Sequence, residues 1–306
     1  MTVIECYKKV SKDCLKFIKS QETSKDKFKN KEKMIKSFLI PVSFWIASKT
    51  NKSKPYFVGL AGGQGTGKTT VSSIIAIILR KYFKLNVFKI SIDDFYKTRK
   101  ERISLSKKIH PFLMTRGVPG THDINIMLNF FKKTKSKSFR SLKLPKFNKA
   151  IDDRCKKNLW YSIKKRPDVI IFEGWCVGAK AEKDNSLKKS INSLEKKEDT
   201  NLVWRKFVNQ QLKLKYKKLY AQLNCLLFLK AGSFSLLQQW RLKQEKKLRL
   251  KNKGIRNNKI MNKKDVIKFM QTYQRVTQNM LKHAPKYSSI ILNLNRNHQI
   301  KSVKYK

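Results

Sequence analysis

The chain has 306 residues, 40% of them hydrophobic, and carries 72 Lys and Arg against 20 Asp and Glu, a formal charge of +52. That length allows one large domain or two small ones with a real core, and the lysines run along the whole sequence without a basic–aromatic stripe or zinc-finger spacing. The charge therefore predicts weak, sequence-independent affinity for polyanions and no specific nucleic-acid site, although a P-loop protein that binds nucleic acid through this charge stays as an alternative class.

The opening MTVIECYKKVSKDC lacks the apolar stretch of a signal peptide. Five scattered cysteines without a CxxC pair fit a reducing, cytoplasmic compartment. The longest apolar runs, SFLIPVSFWIA and VSSIIAIILRKYF, are too short to cross a bilayer. Residues 1–50 read as a helical accessory segment anchored by Phe38, Leu39, Phe44, Trp45 and Ile46 and interrupted at Pro41. YFVGLA, 56–61, is a buried strand by pattern. The stripe Val71, Ile74, Ile75, Ile78, Leu79, Phe83 predicts a helix over 69–83. NVFKISI, 86–92, is a second strand, and 98–110 a basic helix. After the loop HPFLMTRGVPGTHD come a helix in INIMLNFFKK and an extended or loop stretch in SFRSLKLPKFN. PDVIIFEGW, 167–175, is the clearest buried strand. Residues 185–200 are polar and loop-like. A helix over 204–223, the strand CLLFLKA and a long helix over 235–250 follow. Beyond the lysine-rich break NKGIRNNKIMN come a helix over 264–282 and the strand SSIILNLN. Strands alternating with helices predict an α/β fold with a mostly parallel sheet.

GLAGGQGTGKTT contains G-x-x-x-x-G-K-T from Gly62 to Thr69, between the first strand and its helix, which is the context a P-loop requires. Five of the eleven glycines fall within 59–67, where the backbone must wrap an anion and turn its N–H groups inward. Gly62, Gly63, Gln64, Gly65, Thr66, Gly67, Lys68, Thr69 and Thr70 are the candidate ATP-binding residues. Lys68 should bridge the β and γ phosphates, and Thr69 should ligate Mg²⁺. KISIDDFY sets Asp93 and Asp94 at the carboxyl end of the second strand, on the P-loop edge. Asp93 is the expected base for an acceptor hydroxyl, with Asp94 as its neighbour, although the roles could be swapped. Glu173 ends DVIIFEGW, where a carboxylate can hold Mg²⁺ or its water.

These motifs, together with HPFLMTRGVPGTHD, PKFNKA, IFEGWCVGA, WRKFVNQQL, WRLKQE and YQRVTQ, resemble the glycerate kinase branch of P-loop kinases. Uridine kinase, pantothenate kinase and phosphoribulokinase are more distant likenesses. The resemblance implies a P-loop NTP hydrolase fold of the nucleoside-monophosphate-kinase kind over 51–306, with a helical lid around 235–262. It implies ATP and Mg²⁺ as cofactors and a small-molecule acceptor, D-glycerate first, with a nucleoside or pantothenate-like acceptor as the alternative. A monomer without membrane association is expected. By the same resemblance the loop Arg116–Asp123 lies beside the acceptor. Arg116, His110, His122, Asp123, Lys149, Arg154, Asp94 and Tyr96 are then acceptor-site residues, and Arg241 reaches the transferring phosphate from the lid. The family's usual Asp is Asn148 here.

Overall fold

The computed structural model describes residues 2–23, 27–51, 53–251 and 261–306, the side chains of 247–251 apart. The strands are, in chain order, β1 (Tyr56–Gly62), β2 (Val87–Ser91), β3 (Leu142–Leu144), β4 (Phe147–Asn148), β5 (Asp153–Arg154), β6 (Tyr161–Ile163), β7 (Val169–Gly174), β8 (Cys225–Lys230), β9 (Ile290–Leu294) and β10 (Ile300–Tyr305). Six form the central sheet in the order β10-β9-β8-β1-β7-β2. All its pairings are parallel except that of β10 with β9. This is the α/β P-loop architecture that the strand–helix alternation predicts. The chain leaves β1 toward β2 on one side and later crosses to β8 on the other. The carboxyl end of β1 is therefore a switch point, the place where open parallel sheets take their ligands.

Alternate residues of each central strand point to opposite faces, and both faces are covered. On one, Val58, Leu60, Val169, Ile171, Leu227 and Leu229 pack with Ile74 and Ile78 of the helix Lys68–Lys81. On the other, Phe57, Ile170, Phe172, Leu226 and Phe228 pack with Phe130 and Phe131 of the helix Ile124–Lys135 and with Tyr216. Strands buried on both faces read as continuous apolar runs, which is why β1, β7 and β8 stand out in the sequence.

The N-terminal helix Val3–Gln21 opens with a capping box between Thr2 and Glu5. Its stripe Cys6, Val10, Cys14 and Ile18 is fully buried and belongs to the first of these core clusters, against the P-loop helix. Pro41 does not break the second N-terminal helix. Met34–Leu39 opens to π bonding, the Ile40 N–H donates to the Ile35 carbonyl, and Ile40–Lys49 continues as α-helix with the proline in its first turn. The proline has no N–H to donate, and it directly follows the π-bonded turn, an irregularity at which a helix accommodates a break in its regular ladder.

Residues 185–200 are not the plain loop that their polarity predicts. Ser193–Glu198 is a helix capped by Asn192. Its Leu194 and Glu195 are buried, and the Glu195 carboxylate takes two hydrogen bonds from Arg275, at 2.8 and 2.6 Å. A carboxylate paired in the interior is invisible to a reading based on polarity. The helix predicted over 264–282 runs longer, Lys263–Tyr287, and carries Pro285 within it. The long helix expected over 235–250 is Phe234–Lys251. The break NKGIRNNKIMN, and with it part of the expected lid, lies almost entirely outside the described residues. Among the described residues no helix is long and apolar enough to cross a membrane.

Candidate active site

Three chain segments meet at the carboxyl edge of the sheet. Glu173 in β7 is in register with Leu60 of β1 on one side and with Ser91 of β2 on the other. The loop after β1, the turn after β2 and the end of β7 therefore converge by strand register alone.

The loop is tightly enclosed. Gly65 and Gly67 hold positive φ, +79° and +84°, a region that glycine enters without strain. A methyl group on Gly62 would meet Thr66 Oγ1 at 2.7 Å, and one on Gly63 would meet Leu237 at 2.5 Å. The Thr66 hydroxyl donates to the Gly63 carbonyl at 2.8 Å. Lys68 Nζ donates to the Gly62 and Gly63 carbonyls, at 2.9 and 3.1 Å, so the ammonium curls back over the loop. Burial lowers the pKa of that ammonium, opposed by the charges of Glu173 and Asp93. Gln64 Oε1 is buried without a partner among the described residues. The hydroxyls of Thr69 and Ser72, one turn apart at the start of the helix Lys68–Lys81, donate to the two oxygens of Glu173 at 3.2 and 3.1 Å. Thr70 lies in the same first turn.

Asp93 and Asp94 occupy a 3-10 turn, Ile92–Phe95, capped by the Ser91 side chain. Their environments differ. Asp93 Oδ2 accepts from Lys149 Nζ at 2.7 Å and Oδ1 from the Tyr96 hydroxyl at 3.0 Å. Burial works against its charge, but Lys149, His122 and Tyr96 together outweigh that, so its carboxyl sits below the ordinary range. Asp94 is engaged by the Phe147 N–H and the Tyr161 hydroxyl, and burial pushes it up to about 6. The charges of Glu173 and Asp93 both act on the Lys68 ammonium.

The glycine-rich loop predicted to flank the acceptor is packed against aromatic rings. Gly117 has φ +143°, and a Cβ there would fall 1.9 Å from Tyr273 Oη; Trp175 Nε1 donates to the Gly117 carbonyl at 3.0 Å. His122 is buried, pairs with Tyr96 across an isolated antiparallel bridge, and stacks on the Tyr96 ring. Burial lowers its pKa to about 4, so the ring is neutral at physiological pH. Asp123 caps the helix Ile124–Lys135 and accepts from Arg154 Nη2 at 3.0 Å, while Arg154 Nε donates to the Tyr96 carbonyl at 2.8 Å. Arg116 pairs with Asp152 and lies over the Phe147 ring.

Asp93, Tyr96, His122, Asp123, Lys149 and Arg154 thus form one connected network, and Asp94 adjoins it through Phe147, whose ring meets that of Tyr96. His110 makes its contacts elsewhere. It accepts from the Phe112 N–H, and its Nε2 lies 3.0 Å from the Glu198 carbonyl. Arg241 stands beside the P-loop through its backbone, 3.5 Å from where a Cβ on Gly65 would be. Its guanidinium is turned to Glu245 and Gln244 and lies over Phe269.

Several members of the site had no signal of their own in the sequence. Asp152, at positive φ, pairs with Arg116 and with the fully buried Arg102. Trp240 and His298 stack on each other at 4.4 Å, one against Gly65 and the other beside Gly67. Glu245 neutralises Arg241. Asp152, Trp240 and His298 are brought in by contacts far apart in the chain or by a hairpin tip, whereas Glu245 sits one helical turn from Arg241. Asp168, at the far end of β7, accepts from the Asn86 N–H and has no place in the site. Cys176 is buried, and burial pushes its thiol up to about 12, as for a packed residue.

Among the described residues no three His, Cys, Asp or Glu side chains are placed to hold a metal ion on their own. A Mg²⁺ that keeps waters and phosphate oxygens needs only one or two protein oxygens. The adjacent Thr69 hydroxyl and Glu173 carboxylate match that donor set.

No protein-family model matches the chain. Over 230 residues it is 29% identical to the uncharacterized kinase mug58 of Schizosaccharomyces pombe, covering 72% of this chain and 79% of that protein. Over 226 residues it is 27% identical to the chloroplastic D-glycerate 3-kinase of Arabidopsis thaliana, covering 68% of this chain but only 47% of that protein. The solved structure of a D-glycerate 3-kinase from Cryptococcus neoformans var. grubii shares the fold, with a TM-score of 0.71 at 23% identity, over 88% of this chain and 97% of that one. Sequence and fold together relate the chain to D-glycerate 3-kinase and its P-loop kinase relatives.

Proposed function

We propose that this relative of the P-loop kinases transfers the γ-phosphoryl group of ATP to a hydroxyl of a small acid, D-glycerate first among the candidates. The observation that carries the reading is the convergence, at one sheet edge, of the loop holding Lys68, the Glu173 carboxylate and Asp93. Phosphoryl transfer needs little covalent chemistry from a protein. It needs a cradle for the phosphates, countercharge, and a group that takes the acceptor's proton. The glycine loop and the amino end of the helix Lys68–Lys81 supply the cradle.

Lys68 would leave its two loop carbonyls for phosphate oxygens. Thr69 and Glu173 would hold Mg²⁺ and its waters; bound there, the ion neutralises charge on the β and γ phosphates. Asp93 is ionised at neutral pH. It would accept the proton of the acceptor hydroxyl as that oxygen attacks the γ-phosphorus and ADP leaves. Tyr96 and Lys149 fix the orientation of its two oxygens. Arg241 would reach the phosphates only by releasing Glu245.

The acid acceptor rests on the names of the relatives and on one local feature. Arg116, Lys149 and Arg154 each face a carboxylate of the protein, so the site is less positive than its sequence suggests. Lys149 is the most exposed of the three, at 62% for its side chain, and is the cation best placed to take a substrate carboxylate. The test is ADP release with Mg-ATP against sugar acids, nucleosides, pantothenate and short polyols. D-glycerate should lead, and glycerol, which lacks the carboxylate, should be far poorer. A neutral nucleoside turning over faster than every acid would remove the acid assignment and leave the kinase.

A further inference from the structure

His122 is 1% exposed, and its Nε2 is buried without a partner among the described residues. Its other nitrogen, Nδ1, lies 2.6 Å from the hydroxyl of Tyr216, which is itself fully buried. The same hydroxyl oxygen accepts from the Gly120 N–H at 3.0 Å. Gly120 is held there by its conformation: φ is +106°, and a Cβ would meet the Phe207 ring at 2.4 Å.

A phenol has one hydrogen, and a neutral imidazole has one N–H and one bare nitrogen. If Nδ1 carried the proton, Tyr216 would receive two donors, and its own hydrogen would be buried with no acceptor. Nε2 would then be a second buried group without a partner. If Tyr216 donates to Nδ1, its hydroxyl is satisfied on both sides and only the Nε2–H is left open. Each unmet buried polar group costs roughly 1–3 kcal/mol, so the second arrangement is favoured. The ring that carries this open donor stacks on Tyr96, with centroids 4.5 Å apart, and Tyr96 in turn donates to Asp93.

We infer that Tyr216 is a positioning residue: with the Gly120 N–H it holds His122 as the Nε2–H tautomer, and that N–H donates to an oxygen of the acceptor substrate. The inference deepens the reading above and rests on it for the identity of the ligand, but the tautomer stands on hydrogen-bond counting alone. A ring fixed in this way discriminates. It offers a donor and no acceptor, so it favours a carboxylate or carbonyl oxygen over a group that can only donate, such as an ammonium.

The chain has four histidines, few enough for ring nitrogens to be read one by one. The test uses the full chain labelled with ¹⁵N-histidine, at neutral pH, with His122 assigned by the signal lost in His122→Gln. Long-range ¹H–¹⁵N spectra should show a protonated Nε2 and a bare Nδ1. In Tyr216→Phe the proton should redistribute between the two nitrogens. D-glycerate added with Mg-ADP should move the Nε2 signal of the wild type. Tyr216→Phe should raise KM for D-glycerate by about 3–10-fold, the worth of one hydrogen bond, with KM for ATP and kcat within about twofold. A purely structural role would move all three together. A proton on Nδ1 in the wild type overturns the inference, as does an unchanged tautomer in Tyr216→Phe. The expected tautomer with no response to D-glycerate, and turnover of a different acceptor that does move Nε2, would overturn the glycerate reading alone.

Discussion

Replacing Lys149 by Met removes the ammonium that lowers the Asp93 pKa, and the direction and size of the result follow from the geometry of the pair. Burial alone would raise the pKa of Asp93; Lys149, with smaller help from His122 and Tyr96, brings it below the ordinary carboxylate range. A base acts when ionised, so the acid limb of the kcat/KM profile follows this carboxyl. Loss of Lys149 raises its pKa, and the limb must move to higher pH. The size follows from exposure. The Nζ–Oδ2 distance is 2.7 Å, but the lysine side chain is 62% exposed and that of Asp93 28%. A water-screened pair of this kind contributes about 0.2–1 kcal/mol. At about 1.4 kcal/mol per pH unit, the limb should shift by about 0.1–0.7 unit. The assay is steady-state ADP release with subsaturating acceptor across pH. Lys149→Met will also lower the height of the profile if the lysine binds the acceptor, so the position of the limb is the readout. A limb that stays in place, or moves to lower pH, refutes Asp93 as the base. A wild-type limb near 6 would point to Asp94, whose carboxyl titrates there.

Asp94→Asn tests the other carboxylate through stability. Its folded pKa of about 6 lies above the ordinary value of 3.8, so its contribution favours the folded state at low pH and is lost as pH rises through about 6. The variant should therefore show a Tm gain over wild type at pH 7 that shrinks by pH 5; a gain of equal size at both would contradict the burial account. Gly117→Ala places a methyl group against Tyr273 Oη at a positive φ and should lower stability by roughly 1–3 kcal/mol, with partial recovery when combined with Tyr273→Phe, as read by denaturant unfolding. Lys68→Ala should abolish turnover and weaken Mg-ATP binding in calorimetry, while the far-ultraviolet circular dichroism of the folded chain is unchanged. Nucleic-acid binding, if seen, should fall steeply with salt and show no base preference; retention at about 0.3 M salt with a sequence footprint would contradict it.

The P-loop was legible because its demands are local. A close backbone path needs glycine, and glycine is scarce elsewhere in this chain. The edge carboxylates were legible for a similar reason, since a parallel strand buried on both faces ends where polarity returns, at Ser91 and Glu173. What the sequence hid is pairing. Arg116, Arg154 and Lys149 read as spare positive charge, yet Asp152, Asp123 and Asp93 each meet one of them across 31 to 56 residues. Glu245 occupies Arg241 in the same way from one helical turn on, a contact visible in principle as an i,i+4 pair. Tyr216 lies 94 residues from His122, and only tertiary packing brings the two together. The His110 assignment came from the loop's resemblance; in the fold its ring serves the backbone around Phe112 and Glu198.

Transfer of a phosphoryl group from ATP to a small acid at this edge is the proposed reaction. Its most direct test is mass spectrometry of the product formed from D-glycerate and γ-¹⁸O-labelled ATP, with Asp93→Asn run in parallel. The expected product is a phosphorylated acid carrying the labelled oxygens, with a yield lowered roughly 10²–10⁴-fold in the variant. ATP consumed with the label appearing only in inorganic phosphate, equally in both proteins, would contradict it.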